Sequence, residues 1–204
     1  MKKLIPSKTA LILLTTFLTL AGCGGSSNSD NYNGSDTTNP DNTPPPNTVP
    51  PDNTPLNTTL SLCGNSTTVE QLLTKINAVR HEGRYCGTTY YAAVGDLTWN
   101  KNLAKAAQDH STDMANNNYF AHEGLNGSTI GDRAMAAGYN YRYAGENIAG
   151  GYHSIDDAMT GWVNSPGHCA NIMNANFKEY GMACASNDKS SYKTYWTQEF
   201  GARQ

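Results

Sequence analysis

Residues 154–168 read SIDDAMTGWVNSPGH, a stretch that combines a complete helix signal with a polar stop. Ser154 can cap a helix, Asp157 lies three residues later to complete the cap, and Pro166 cannot continue the helix. Between these limits the apolar residues recur at helical spacing and form one stripe. The stripe consists of Ile155, Ala158, Met159, Trp162 and Val163. We therefore predict a buried amphipathic helix that ends where a polar Ser-Pro-Gly-His segment begins.

Three more helices are predicted upstream of this one. Thr67 can cap the first, and Glu70 can return the hydrogen bond three residues later. The second covers about residues 101–117, and the third covers about 128–137, where Gly138 stops it. The inward faces of the first two helices consist of Val69, Leu72, Leu73, Ile76 and Val79, and of Leu103, Ala106, Ala107, His110 and Met114.

Downstream of the helices, apolar residues alternate in two short runs separated by a polar loop. The runs are Tyr180–Ala185 and Tyr192–Phe200, and their alternation predicts two strands of a hairpin. Helices followed by antiparallel strands predict an α+β domain in layers, with the helices covering the sheet.

Seven sequence blocks follow one another in an order that resembles a bacterial CAP domain, also called an SCP domain. CAP denotes the cysteine-rich secretory protein, antigen and pathogenesis-related superfamily. The resemblance covers nearly all of residues 67–202 and implies an α-β-α sandwich with a central antiparallel sheet, including a strand near 143–149. The blocks are Asn77-x-x-Arg80, Leu97-x-Trp99, Ala107-x-x-His110-Ser111-x-x-Met114-Ala115, Phe120-x-His122, Gly145-Glu146-Asn147-Ile148, Trp162-x-x-Ser165-Pro166-Gly167-His168-x-x-Asn171-Ile172 and Tyr195-Trp196-x-x-x-Phe200-Gly201.

The resemblance also implies a cleft lined by two histidines and two acidic residues. Three of these positions match this chain, as His122, Glu146 and His168. At the position of the second acidic residue this chain has Ser165, so the second carboxylate is missing. Ser165 and Asn147 are predicted as further binding residues of the cleft.

Two neutral imidazoles and one carboxylate form a ligand set that zinc accepts, with an open fourth position for water. One hypothesis is therefore that His122, Glu146 and His168 bind a divalent metal such as zinc, with Glu146 as the catalytic base. The alternative is a hydrogen-bonded polar cleft that needs no ion, in which Glu146 accepts from both rings. No other cofactor is predicted.

Other catalytic motifs are absent from the sequence. There is no G-x-S-x-G nucleophile turn, and the two His-Glu pairs lack the second histidine of H-E-x-x-H. His110 shares a helical face with Ala106 and Met114, which favours a packed, hydrogen-bonded core residue over a metal ligand.

The first 22 residues have the features of an export signal. Lysines precede an apolar run that is too short to span a bilayer permanently. The run ends Leu20-Ala21-Gly22-Cys23, which resembles the lipobox of bacterial lipoproteins, where Cys23 becomes the lipidated first residue. We predict a protein anchored by lipid in the cell envelope. Gly24 after that cysteine favours the outer membrane where the organism has one.

Residues 23–60 are rich in Asn, Asp, Thr, Ser, Gly and Pro, and contain too little apolar surface to offset the entropy of ordering them. We predict a disordered tether over 23–60 and one folded domain over 61–204. The net charge of -3 argues against nucleic acid as a partner, because a phosphate backbone requires a cationic face.

Four cysteines remain in the domain after Cys23 is set aside. An even number in an exported protein predicts two disulfides. A zinc site of four thiolates is disfavoured, because no close C-x-x-C pair is present. Of the three possible pairings we predict Cys63–Cys86 and Cys169–Cys184, which link neighbours along the chain.

Two function classes remain open. The first is a binding module that recognises an extracytoplasmic lipid, glycan or protein through the cleft, as the lipid-binding members of the superfamily suggest. The second is a metal-dependent hydrolase, such as a peptidase, that uses the same cleft. We favour binding, because no nucleophile is evident and the second carboxylate is missing.

Overall fold

The structure of the protein is a computed structural model that describes residues 52–204. The predicted signal peptide, the lipidation site Cys23 and the predicted tether as far as residue 51 lie outside the described residues. The last part of that predicted tether contacts the domain. The Leu56 carbonyl accepts a hydrogen bond from the Glu70 amide at 2.9 Å, and the first strand begins at Thr59. Ordered contacts therefore begin upstream of residue 61.

Residues 52–204 contain five helices and eight strands. The helices are α1 (Val69–Arg80), α2 (Lys101–Asn117), α3 (Ile130–Ala136), α4 (Ile155–Asn164) and α5 (Pro166–Ile172). The strands are β1 (Thr59–Leu62), β2 (Asn65–Thr68), β3 (Arg84–Cys86), β4 (Thr89–Tyr91), β5 (Thr98–Trp99), β6 (Tyr141–Gly150), β7 (Glu179–Ser186) and β8 (Thr194–Arg203). No helix among the described residues is long and apolar enough to cross a membrane.

The four predicted helices and three predicted strands are all present, with small corrections. The cap of α1 is Thr68 and not Thr67, because the Thr68 side chain accepts from the Gln71 amide; the partner in the capping box is Gln71 and not Glu70. Pro166 ends α4 as predicted, but it also begins α5, since proline fits the first turn of a helix.

The central sheet has the strand order β5-β7-β8-β6. β8 pairs antiparallel with both β6 and β7, as expected, whereas the short β5 runs parallel to β7. β1 with β2, and β3 with β4, form two separate hairpins outside this sheet.

Helices cover both faces of the sheet, which makes the domain an α+β sandwich of the α-β-α type. Successive side chains of a strand point to opposite faces, so side chains of β6 pack against both helical layers. Ile148 packs with Met114 of α2, whereas Ala149 joins the core on the opposite face. That larger core contains Val69, Leu72, Ile76, Ile155, Ala158, Trp162, Ile172, Tyr180, Met182, Trp196 and Phe200.

The two predicted disulfides are present, but the predicted pairing is wrong. The bonds are Cys63–Cys184 and Cys86–Cys169, each with a Cα–Cα distance of 5.5 Å. Contacts place β1 beside β7 and α5 beside β3. Cysteines that are close along the chain are therefore separated by the fold, and the second bond is nested inside the first.

Candidate functional site

His122 and Glu146 form a hydrogen-bonded pair that reaches from the surface into the core. His122 lies in the loop after α2, and its Nδ1 donates to Oε1 of Glu146 on β6 at 2.7 Å. The side chain of His122 is 56% exposed, whereas that of Glu146 is 1% exposed. The buried carboxylate therefore orients a ring that faces solvent.

Arg133 of α3 occupies the other oxygen of the same carboxylate. Its Nη2 donates to Glu146 Oε2 at 2.6 Å, and its Nη1 donates to the Ser128 carbonyl at 2.9 Å. Burial raises the pKa of Glu146, but the hydrogen bond from His122 and the charge of Arg133 outweigh this effect. The pKa of Glu146 therefore lies below its ordinary value, and the group is ionised at neutral pH.

Glu199 of β8 is a second buried carboxyl group beside this pair. It lies directly opposite Glu146 across the two antiparallel strands and is fully buried. Apart from Glu146, no group among residues 52–204 forms a hydrogen bond with its carboxyl oxygens. Burial, together with the charge of Glu146, raises the pKa of Glu199 well above its ordinary value.

His110 completes the polar cluster from the side of α2. It is buried, as predicted, and its Nε2 donates to the Ala121 carbonyl at 2.9 Å. The same nitrogen lies 3.8 Å from Glu146 Oε1. Burial lowers the pKa of His110, so the ring is neutral at neutral pH and belongs to the wall behind the cleft.

His168 reaches the cleft from α5. It lines, together with His122 and Ser165, a cavity of about 410 Å³ that we call the central cavity. Burial lowers the pKa of His168, and the nearby charge of His122 lowers it further. Both predicted histidines therefore face one space, with Ser165 beside them.

Aromatic rings form the remaining walls of the central cavity, and two glycines make room for them. A Cβ at Gly150 would lie 2.8 Å from the ring of Tyr192, and a Cβ at Gly161 would lie 2.3 Å from the hydroxyl of Tyr152. Either side chain would displace its tyrosine. The aromatic residues that line the cavity are Phe120, Tyr152, Trp162 and Tyr192.

Two further cavities adjoin the central one. The glutamate cavity, of about 440 Å³, shares His122 with it and is also lined by Glu123, Thr129, Glu146 and Asn171. The helix cavity, of about 520 Å³, runs along α4 and shares Tyr152, Gly161 and Ser165 with the central cavity. We call the row of three cavities the groove.

Asn147, predicted as a binding residue, is fully buried behind the cleft and does not line any of these three cavities. Its Nδ2 donates to the His168 carbonyl at 3.2 Å and to Gln198 Oε1 at 3.1 Å, and its Oδ1 accepts from Asn171 at 3.0 Å. The alternation of β6 sends this side chain to the opposite face from Glu146. Asn147 therefore holds α5 against the sheet and positions the segment that carries His168.

The predicted zinc ligands do not fit a metal ion in this arrangement. Both oxygens of Glu146 already accept hydrogen bonds, and the cation of Arg133 contacts one of them. A second cation at the same carboxylate would be repelled by that guanidinium. Within residues 52–204, no three His, Cys, Asp or Glu side chains are placed to hold a metal.

Arg133 and Glu199 were not predicted as site residues, although the sequence carried a weak signal for each. Arg133 lies three residues after Ile130 and beside Ala134, on the apolar side of a short helix. Glu199 lies in a strand that also contains Thr197 and Gln198, and strict alternation suggests a solvent-facing side for such polar residues. Helices cover both sides of that strand, so its polar residues are buried.

Known proteins are similar to parts of this chain. The uncharacterized protein YkwD of Bacillus subtilis is 35% identical over 51% of this chain and 38% of its own length. The uncharacterized membrane protein YlbC of the same organism is 30% identical over 66% of this chain and 34% of its own length. The chain thus spans little more than a third of either relative.

A solved structure shares the fold at lower identity. An outer surface protein of Borrelia burgdorferi is 19% identical, with a TM-score of 0.55 over 66% of this chain and 92% of that protein. The model of the cysteine-rich secretory protein family, CAP, matches residues 73–200, which include His122, Glu146 and His168. The chain therefore belongs to the CAP family of cysteine-rich secretory proteins.

Proposed function

We propose that the protein is an exported binding module of the cell envelope that holds its ligand in the central cavity. The observation that carries this proposal is that cavity itself, where His122, His168 and Ser165 stand among aromatic walls. A volume of about 410 Å³ lies within the usual range of ligand sites, as does the combination of apolar walls with a few polar groups.

The buried cluster supports binding by fixing the cavity before a ligand arrives. Glu146 orients the ring of His122, and Asn147 holds the backbone of the segment that carries His168, so neither arrangement depends on a ligand. Binding to a site that is already formed avoids the entropic cost of ordering it.

Export and anchoring are part of the same proposal. Both cysteine pairs of the domain are oxidised, which is typical of proteins outside the cytoplasm. The apolar run before Cys23 supports a lipid anchor in the membrane, and the acidic residues that face the groove argue against nucleic acid as the ligand.

A photo-crosslinking residue at Ser165 tests the proposal in the cells that produce the full chain. Ser165 lines both the central and the helix cavity, so a ligand in the groove should be captured there and detected as an added mass. The same residue at Ser61, which is exposed on β1 and lines none of the three cavities, is the control. Absence of an adduct at Ser165 in the folded protein would contradict the proposal.

A hydrolase that uses no metal is the second candidate, and the contact between His122 and Glu146 favours it. A carboxylate that accepts from one ring nitrogen leaves the other nitrogen able to take a proton from water, as in a catalytic dyad. In this scheme His122 is the base and Glu146 is a positioning residue, which differs from the predicted role of Glu146 as base.

This candidate is tested by incubating the full chain with peptides and with cell-wall fragments. Hydrolysis that is lost in His122→Ala and strongly reduced in Glu146→Gln would support it. Equal product formation by the wild type and His122→Ala would exclude His122 as the base.

A further inference from the structure

The groove consists of three adjacent cavities, and this arrangement fits a ligand built from several units. The glutamate, central and helix cavities follow one another, because each neighbouring pair shares lining residues. His122 stands at one junction, and Tyr152 with Ser165 stands at the other. A ligand that fills more than one cavity must pass these side chains.

The middle of the groove offers flat apolar surfaces. The rings of Phe120 and Tyr192 are 5.1 Å apart, and the two residues are 39% and 46% exposed. Gly150 lets the ring of Tyr192 lie against the backbone, and Tyr192 lines the central cavity. Such amphipathic rings suit a partner with one apolar face and a polar rim.

The polar groups of the groove suit uncharged hydroxyl groups. Imidazoles, hydroxyls and amides both donate and accept hydrogen bonds, which matches the dual character of a sugar hydroxyl. In the helix cavity these groups come from His153, Thr160, Asn164 and Ser165.

Charge excludes other ligand classes. None of the residues that line the three cavities is lysine or arginine, whereas Glu123, Glu146 and Asp157 are among them. A phosphate or sulfate group would meet no fixed cation there. A purely aliphatic chain would remove the histidines and hydroxyls from water without replacing their hydrogen bonds, which is unfavourable.

An extended peptide is disfavoured by the edge of the sheet. β6 is an edge strand, where a peptide could add a further strand. The carbonyls of Glu146 and Ile148, however, already accept from Asn171 Nδ2 and Trp162 Nε1, both at 3.1 Å. The acceptors that an added strand would need at these positions are occupied.

From these observations we infer that the groove binds an oligosaccharide, a chain of uncharged sugar rings, with one ring against Tyr192 and its neighbours in the flanking cavities. This inference rests on the proposed function, because it names the ligand class of the same groove. It predicts that affinity grows with the number of rings, since longer chains fill more cavities.

Calorimetric titration of the full chain with N-acetylglucosamine and with its tri- and hexasaccharides tests the length dependence. The hexasaccharide should bind at least about tenfold more tightly than the monosaccharide, a difference of about 1.4 kcal/mol. A hexasaccharide of glucose shows whether the acetamido group contributes.

Ring variants locate the binding. Tyr192→Ala should lower the affinity for the hexasaccharide by about tenfold, which is the upper range of what one aromatic contact contributes. Tyr192→Phe should bind the hexasaccharide like the wild type. Tyr90→Ala is the matched control, because Tyr90 is 58% exposed on β4 and lines none of the three cavities. Melting curves should be equal for all, since Tyr192 is itself nearly half exposed.

Three results would overturn the inference: no binding of either hexasaccharide, affinity independent of length, or unchanged binding by Tyr192→Ala. Binding of palmitate or of a peptide that depends on Tyr192, with crosslinking at Ser165 retained, would assign the groove to another ligand class. Loss of the Ser165 adduct as well would contradict the proposed function itself.

Discussion

Two buried charged groups, Arg80 of α1 and Glu146 of β6, are compensated in opposite ways. Arg80 is 1% exposed, and the hydrogen-bond acceptors of its guanidinium among residues 52–204 are backbone carbonyls. Glu146 is surrounded by side chains that can gain or lose protons or move. The carbonyls that accept from Arg80 belong to Gly95, Ile172, Asn174 and Phe177, at distances from 2.6 to 3.5 Å.

This difference separates a buried charge with a structural role, Arg80, from one that belongs to the candidate site, Glu146. Burial lowers the pKa of Arg80 to about 10, so it remains charged at neutral pH, and its backbone acceptors cannot titrate. The group therefore joins α1 to the segment after α5 under all ordinary conditions. Glu146, in contrast, accepts a hydrogen bond from His122, which faces solvent, so the protonation of the buried cluster affects this ring directly.

Arg80→Leu should have the largest effect on stability. It removes the donors of four carbonyls in a buried site, and we expect the free energy of unfolding to fall by about 4 kcal/mol or more. Urea denaturation measures this. The control is Arg142→Leu, because Arg142 is exposed beside Tyr143, and its loss should cost less than about 1 kcal/mol. Equal effects of the two variants would refute the structural role of Arg80.

Glu146→Gln should lower the free energy of unfolding by about 3 kcal/mol, because it leaves the guanidinium of Arg133 buried without its counter-charge. Combining it with Arg133→Met should recover part of the loss, since the double variant removes both charges. A double-mutant cycle from urea denaturation measures the coupling. Purely additive losses would show that the two groups do not interact.

Glu199→Gln should change how stability depends on pH. A carboxyl whose pKa is raised in the folded state stabilises the fold most below its ordinary value of 4.5, and this contribution is lost as pH rises towards the folded pKa. The wild type should therefore lose stability with rising pH more steeply than Glu199→Gln. Parallel curves of melting temperature against pH would show that Glu199 is ionised in the fold.

His122→Ala should lower stability less than Glu146→Gln does, by about 1–2 kcal/mol, because it removes one donor from the buried Glu146 carboxylate while most of the His122 side chain is exposed. It should nevertheless weaken ligand binding, since it removes the polar group shared by two cavities. Melting temperature and crosslinking at Ser165 are measured on the same variant. A large loss of stability with unchanged crosslinking would place His122 in the structural class with Arg80.

Zinc should have no effect at all. Addition of micromolar zinc near neutral pH should leave the melting temperature unchanged and give no calorimetric uptake, because Arg133 already neutralises Glu146. Saturable uptake that disappears in His122→Ala and in His168→Ala would instead restore the predicted ligand set.

Local signals predicted the elements of the fold, because periodicity and caps act over a few residues. The helix over residues 154–166 and the hairpin after residue 180 needed no knowledge of distant parts. The resemblance placed His122 and His168 in one cleft. It could not supply Arg133, since that contact depends on how α3 packs against β6.

The incorrect disulfide pairing has a related cause. Proximity along the chain favoured Cys63 with Cys86, but β5 pairs with β7 across about eighty residues and draws distant segments together. Only the packing of β1 beside β7 decides that Cys63 meets Cys184.

The bond between Cys63 and Cys184 also decides where tension enters the domain. It joins the first hairpin to β7, an interior strand of the sheet. A force applied from the side of residue 52, where the predicted anchor lies, is transmitted through this disulfide to β7. It does not have to pass through α1. Residues 64–183, which carry the groove's histidines, form a loop closed by this bond. A ligand fixed in the envelope would thus load the sheet directly, without peeling the first helix away.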